Sequence, residues 1–419
     1  MTHLHSKLLT CAAILMLPSF ATADLFSISL DVQGGASATE SFQTIEDIVD
    51  LLEDTDGYDD INPDYTETSV ATALLNFRGL EVIAEYPTAG PEVVFSIPAL
   101  DFTQTFDDGT TRDDNGEAFA DYIEDNVDGI LQDIFSYLAA ETPTDPVAGN
   151  PASLMTTMVV SDFAMGSPIG AIGTALQPGP GVAPGEDRDR RGGVGGLEAR
   201  FANYSADGAD VQAYTLPLSY GFAFQDSGRT LIVDLPVTFV DAEGTDSYSL
   251  SLGLGLGLPI TPQWTLTPSA RIGATGSVDL GAIGVISSVS LTSNYAFDFG
   301  SWAFDLGNGI SYLSTIPIEV EDTEATYDLT NTVLRNGLGA SRSLPFQILG
   351  DPVDVQLGVI NSLFYGDELY IENSTEFTVA IASQRETNRW IFKKLSLGLS
   401  YIITDEDYSG YSLNFGYRF

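Results

Sequence analysis

The stretch "YSLSLGLGLGL", residues 248–258, decides the architecture. Tyr248 and the leucines at 250, 252, 254, 256 and 258 occupy one parity; Ser249, Ser251, Gly253, Gly255 and Gly257 occupy the other. A period of two is a β-strand with two unlike faces. The large residues form one face. The other face is Ser and Gly, without the Lys and Glu that a strand normally shows to water. Eleven residues of this kind are also enough to cross a bilayer at a tilt.

The same alternation recurs outward from this stretch. It is found in "YTLPLSYGFAF" (214–224), "WTLTPSARIGA" (264–274), "LSLGLSYII" (395–403) and the last nine residues, "YSLNFGYRF" (411–419). Twelve strands are predicted, near 196–204, 211–224, 230–240, 247–258, 264–275, 284–297, 302–315, 327–342, 353–365, 375–384, 394–403 and 411–419. An even number suits an antiparallel transmembrane barrel. Aromatic residues stand near strand ends on the apolar face: Tyr214, Phe224, Tyr248, Trp264, Trp302, Tyr401, Tyr411 and Phe419. That is the placement of the interfacial girdles of a membrane barrel. Arg200, Arg271 and Arg418 share parity with small polar residues, so they are expected to face the lumen. Pro217, Pro236 and Pro268 fall inside strands, where each removes a ladder donor.

The chain begins "MTHLHSKLLTCAAILMLPSFATAD". Lys7, the apolar run to Phe20 and Ala21-Thr22-Ala23 match a cleaved secretory signal peptide over 1–23. Cys11 is the only Cys, and His3 and His5 are the only His. The exported chain is therefore expected to have neither thiol nor imidazole, which removes Cys nucleophiles, His general bases and His-based zinc sites. A non-enzymatic role is expected. The net charge of −43 excludes nucleic acid as a natural partner, because phosphate binding needs Lys and Arg.

Twelve strands in the C-terminal residues 196–419, ending on Tyr417-x-Phe419, resemble the autotransporter-type translocator barrel of Gram-negative outer membranes, including its solitary forms. The resemblance implies insertion among outer-membrane lipid and lipopolysaccharide. It also implies that Tyr411, Leu413, Phe415, Tyr417 and Phe419 form the assembly signal read by the barrel-assembly machinery. The function implied is a barrel that displays or translocates its own N-terminal domain. A narrow passive channel for small solutes or ions and a surface adhesin are the alternatives.

The first half differs. Residues 24–194 hold 33 acidic side chains against 5 arginines. A small acidic α+β domain is expected over 24–165, with a strand at 25–32, a helix at 42–54, a β-meander within 67–106, an amphipathic helix at 115–140 and a third helix at 151–163. The Gly/Pro-rich segment 166–195 reads as a linker. "EDTDGYDDINPD" places Asp54, Asp56 and Asp60 as in part of a calcium loop, although the spacing departs from the EF-hand pattern; a solvated acidic loop is the plainer reading. The acids of helix 115–140 could meet lumen arginines Arg200, Arg271 and Arg335 as a plug. Its apolar stripe favours a core of its own, so a separately folded domain is the expectation.

Overall fold

The structure is a computed structural model that describes residues 25–125, 127–172, 194–206, 209–224, 227–320, 323–325, 327–348, 351–383, 394–406 and 408–418. The leader and Phe419 lie outside these residues.

The N-terminal part is a six-stranded antiparallel sheet. Its strands are β1 (Phe26–Val32), β2 (Ser37–Phe42), β3 (Ala71–Phe77), β4 (Leu80–Tyr86), β5 (Val93–Ile97) and β6 (Phe102–Phe106), in the order β2-β1-β3-β4-β5-β6. Alternation places Phe26, Ile28, Leu30 and Val32 of β1 on the buried face, with Ala73, Leu75, Val82, Ala84 and Phe95 of its neighbours. Helices α1 (Ile45–Glu53), α2 (Tyr58–Ile61), α3 (Arg112–Asp125) and α4 (Gln132–Glu141) complete this unit. Phe119 of α3 stacks on Phe95 of β5 with ring centroids 3.9 Å apart. Helix α3 starts with a reciprocal cap. Asp114 N donates to Thr111 Oγ1 (3.0 Å) and Thr111 N donates to Asp114 Oδ2 (2.9 Å), satisfying two otherwise orphaned donors.

The amphipathic stretch expected as one helix over 115–140 is two. Residues Val127–Leu131 form a wide turn in which Gly129 takes φ −127° and ψ −105°, so the helical bond ladder breaks there. Both halves belong to the N-terminal unit, where their apolar stripe finds the sheet.

The second part is a closed barrel of twelve antiparallel strands. They are β7 (Val194–Ala206), β8 (Ala209–Phe224), β9 (Arg229–Ala242), β10 (Thr245–Pro259), β11 (Trp264–Ser277), β12 (Ala282–Phe299) and β13 (Trp302–Ile316). After a small hairpin of β14 (Ile318–Val320) and β15 (Thr323–Ala325) come β16 (Thr330–Ile348), β17 (Asp351–Gly366), β18 (Asn373–Ser383), β19 (Lys394–Thr404) and β20 (Tyr408–Arg418). Each strand pairs with the next, and β20 closes onto β7 with Leu413 opposite Phe201. All twelve predicted segments are present.

The prolines sit in mid-strand without a register shift. Pro217 and Pro236 face each other across β8 and β9. The β7–β8 pairing skips from Leu197↔Leu218 to Arg200↔Thr215, and β9–β10 skips from Leu250↔Val237 to Gly253↔Asp234. Each missing N–H thus opens a short gap toward the strand on the far side, and the rest of the ladder bridges it.

The outer face is a belt of large apolar side chains. Leu250, Leu252, Leu254, Ile272, Leu291, Ile310, Leu338 and Leu399 are all exposed. Tyr248, Tyr312, Tyr365 and Tyr401 stand toward one end of this belt, and Phe224, Trp264, Phe299 and Phe346 toward the other. A soluble surface carries no apolar patch of this extent. No helix among the described residues is long and apolar enough to cross a membrane.

Candidate functional site

The lumen holds helix α5 (Leu154–Gly166), which packs against β9 through β13. It was expected as a third helix of the N-terminal unit, but the structure places it inside the barrel. The cause is in its composition. Leu154, Met155, Met158, Val159, Phe163 and Met165 are all buried on one side of the helix, and Thr156, Thr157, Val160, Ser161 and Ala164 on the other side are half-buried, so no side chain of the helix is exposed. A helix with so wide an apolar face and only small side chains behind it needs a wall that curves around it. The N-terminal sheet offers one face; the barrel encloses it. Burying each large side chain contributes about 1.5–3 kcal/mol relative to exposure.

The helix begins on a prepared seat. Ser153 caps it by accepting from Thr156 N (3.5 Å). Leu154 N donates to Pro146 O (2.9 Å) and Met155 N to Val147 O (3.0 Å), which satisfies two of the orphaned first-turn donors. Beyond Gly166 the chain continues along the lumen. Ile169 lies near Gly337, Gly339 and Gly358, and Ile172 near Gly358. The segment 166–172, expected as the start of a linker, therefore belongs to the plug.

The wall makes room by lacking side chains. A Cβ on Gly307 would lie 2.5 Å from Ser167 Oγ and 2.9 Å from Phe163 Cζ. The strand that decided the fold contributes in the same way: Gly255 faces Met165, and Gly253 leaves space for the Arg271 guanidinium.

One acid of α5 meets one arginine of the wall. Arg271 Nε donates to Asp162 Oδ1 (2.8 Å), its Nη2 to Asp234 Oδ2 (2.7 Å) and its Nη1 to Ser251 Oγ (3.0 Å). Ser288 and Ser290 each donate to Asp162 Oδ2 (2.8 Å), and Ser219 donates to Asp234. The side chains of Asp162 and Arg271 have no exposure at all. A buried charge is tolerated when its lone pairs and protons are met, and both of Asp162's oxygens are.

A second lumen cluster lies across from this one. Arg200 Nη2 donates to Glu376 Oε1 (3.1 Å), and Arg335 Nη2 is 3.6 Å from Glu376 Oε2. Arg335 also donates to Ser362 Oγ (2.7 Å) and lies over the Phe163 ring of α5 at 5.5 Å. Arg200 remains partly exposed, whereas Glu376 is buried beside it. The structure thus places Arg200, Arg271 and Arg335 on the lumen face. The partners of Arg271 and Arg335 on the plug come from α5, not from the acids of α3 and α4. The side chain of Arg418 lies outside the described residues. Of the terminal strand, Leu413 and Phe415 are exposed on the outer face, and Tyr411 and Tyr417 share their parity half-buried.

The N-terminal unit docks on one end of the barrel, formed by the loops after β9, β11, β13 and β17. Ile45 N at the start of α1 donates to Asp279 O (3.0 Å), Gln132 Nε2 to Asp328 Oδ2 (2.9 Å), and Tyr370 N to Ala139 O (3.0 Å). Leu280 and Ala282 of the barrel enter the core of the N-terminal sheet. A buried trio ties the unit down: Arg78 Nη1 donates to Asp145 Oδ2 (3.3 Å), as does Tyr327 OH (3.0 Å). Burial raises the Asp145 carboxyl, and Arg78 followed by the Val147 and Ala148 amides pull it back. The separately folded domain expected from the sequence is thus continuous in packing with the barrel.

Asp54 and Asp60 lie exposed near α2, and the side chain of Asp56 is outside the described residues. Thr55 between them turns inward and donates to Asp113 Oδ1 (2.9 Å) and Glu67 Oε1 (3.0 Å). Among the described residues no group of three or more His, Cys, Asp or Glu is arranged to hold a metal ion.

A sequence signal for the plug existed. The window 151–166 has apolar residues on every helical side and a single acid, and the lumen parity contains few arginines. No protein-family model matches the chain, and no curated protein does. The chain is similar in structure to the β domain of the Bordetella autotransporter BrkA, with 14% identity, 54% of this chain and 98% of that chain covered and a TM-score of 0.42. The translocator domain of autotransporter NalP from Neisseria meningitidis gives 14%, 55%, 90% and 0.41 in the same order. An outer membrane channel from Pseudomonas putida F1 gives 15%, 54%, 94% and 0.39.

Proposed function

We propose that this chain is a non-enzymatic outer-membrane barrel that holds its own N-terminal domain at the outer mouth, with α5 sealing the lumen. One observation carries this reading. The N-terminal unit docks at the barrel end opposite to the one where β7 begins and β20 finishes, and α5 occupies the lumen between them. With the C-terminus toward the periplasm, the domain stands outside the cell. The apolar belt and its two aromatic girdles support the bilayer setting. The terminal residues Tyr411, Leu413, Phe415, Tyr417 and Phe419 then serve as the signal for the assembly machinery, and deleting Phe419 should reduce membrane insertion. Acidic loops at the outer mouth suit a lipopolysaccharide surface bridged by divalent cations.

Protease treatment of intact cells tests the reading. Loss of the N-terminal domain with the barrel retained supports it. A domain cleaved only after the outer membrane is permeabilised overturns it. A second reading, a narrow passive channel, is favoured by Arg200, whose side chain stays partly exposed on the lumen wall.

A further inference from the structure

The outer belt is interrupted along one line. Polar residues stand directly opposite one another on five adjacent strands: Ser293 on β12 opposes Asn308 on β13, which opposes Asn336 on β16, then Asn361 on β17 and Thr375 on β18. Their parity is that of the lipid face. Asn308 lies between exposed Leu306 and Ile310, and Asn336 beside exposed Leu338. Apolar rows in the same register flank the line on both sides, Leu291–Ile310–Leu334–Leu363 above and Tyr295–Leu306–Leu338–Val359–Phe377 below. Tyr312 and Phe304 are each four residues from Asn308 along β13, about 13 Å of strand in either direction. The two central asparagines are therefore deep in the belt.

The flanking members find partners in their own wall. Trp264 Nε1 donates to Ser293 Oγ (2.9 Å), and Asn361 Nδ2 donates to Asn373 Oδ1 (2.8 Å), Ser374 O (3.0 Å) and Thr375 Oγ1 (3.1 Å). Asn308 and Asn336 are exposed and make no side-chain hydrogen bond among the described residues. Each carries two donors and an acceptor, and acyl chains can satisfy neither.

We infer that the β13–β16 face is the contact between two copies of this chain in the membrane plane. Two copies inserted in the same direction are related by a twofold axis along the membrane normal, which brings one face against itself at equal depth. Barrel strands are tilted, so the polar line runs obliquely. The lines of the two copies then cross at a single place, and the unsatisfied pair marks it. There Asn308 of each copy meets Asn336 of the other, amide to amide, with every donor offered an acceptor. The inference rests on the membrane reading above.

Disulfide trapping in native membranes tests it, using the full chain with Cys11→Ser. Co-expressed chains carrying Asn308→Cys and Asn336→Cys respectively should give, on oxidation, a product of twice the chain mass. Leu216→Cys, on the opposite wall in β8, should remain single. Absence of the product, equal trapping at Leu216→Cys, or a product of another mass overturns the proposal. The variant Asn308→Leu/Asn336→Leu covers the case in which the cysteine disturbs insertion. It should keep a heat-modifiable barrel while self-association in detergent weakens roughly tenfold; an unchanged dimer overturns the proposal. Release of the unaltered chain by alkaline extraction would sink the membrane reading itself, whereas a membrane-retained monomer sinks only this inference.

Discussion

Asp162 of α5 and Arg271 of β11 lie 2.8 Å apart, each wholly shielded from solvent, the first from the chain that precedes the barrel and the second from its wall. Apolar burial supplies most of the attraction that seats α5. The ion pair fixes its depth and rotation, because only one height brings Asp162 between Arg271 and the hydroxyls of Ser288 and Ser290.

The two partners should not be equivalent. Arg271→Met leaves Asp162 and Asp234 buried without their cation, at a cost of about 3–5 kcal/mol. Asp162→Ala leaves Arg271 still paired with Asp234, so its effect should be the smaller. Denaturant titration of channel opening in reconstituted protein checks the order. The double variant Asp162→Leu/Arg271→Met should recover more stability than Arg271→Met alone.

Full-length protein should be nearly non-conducting in planar bilayers. A chain starting near Gly192, which lacks α5, should conduct. Equal conductance in both would show that α5 does not close the lumen.

Gly307→Val should unseat the plug while sparing the wall. The added side chain would occupy the space of Ser167 and Phe163, and close-packed interiors do not absorb such a volume without about 1–3 kcal/mol of strain. Heat-modifiable barrel should persist, and open events should become frequent. Leu250→Val, on the lipid face, should change neither.

The cap of α3 should give the N-terminal unit an acid-sensitive step. Hydrogen bonds from the Thr110 hydroxyl first, then the Thr111 and Thr110 amides, hold the Asp114 carboxyl down to about 2. A carboxyl with a lowered pKa stabilises the fold above its unfolded value, and that contribution is lost as pH falls toward about 2. NMR titration of Asp114 should show this depressed midpoint. In Asp114→Asn, stability of the α3 end should become insensitive to pH across this window.

The barrel was legible because its information is local. Alternation along Tyr248–Leu258 or Leu395–Ile403 reflects where successive side chains point on any strand, whatever that strand pairs with. All twelve strands, and the outward parity of Leu413 and Phe415, follow from that rule. The helix break at Gly129 was hidden, because the apolar stripe continues across it and a single glycine inside a helical pattern is usually tolerated.

What the sequence by itself determined is the list of elements and the residues each one can bury: twelve two-faced strands, an acidic unit with amphipathic helices, and a mostly apolar helix at 154–166 with a single charged residue. What only the tertiary structure decided is which of these faces meet. Asp162 and Arg271 are 109 residues apart, and nothing local states that closure of the barrel leaves a socket of that depth. The same holds for Asn308, Asn336 and Asn361. Each is an unremarkable polar residue in its own strand, and they form one line only through the register that pairs β13, β16 and β17. Periodicity is a property of the backbone next door; adjacency across a closed sheet is set by all the strands at once.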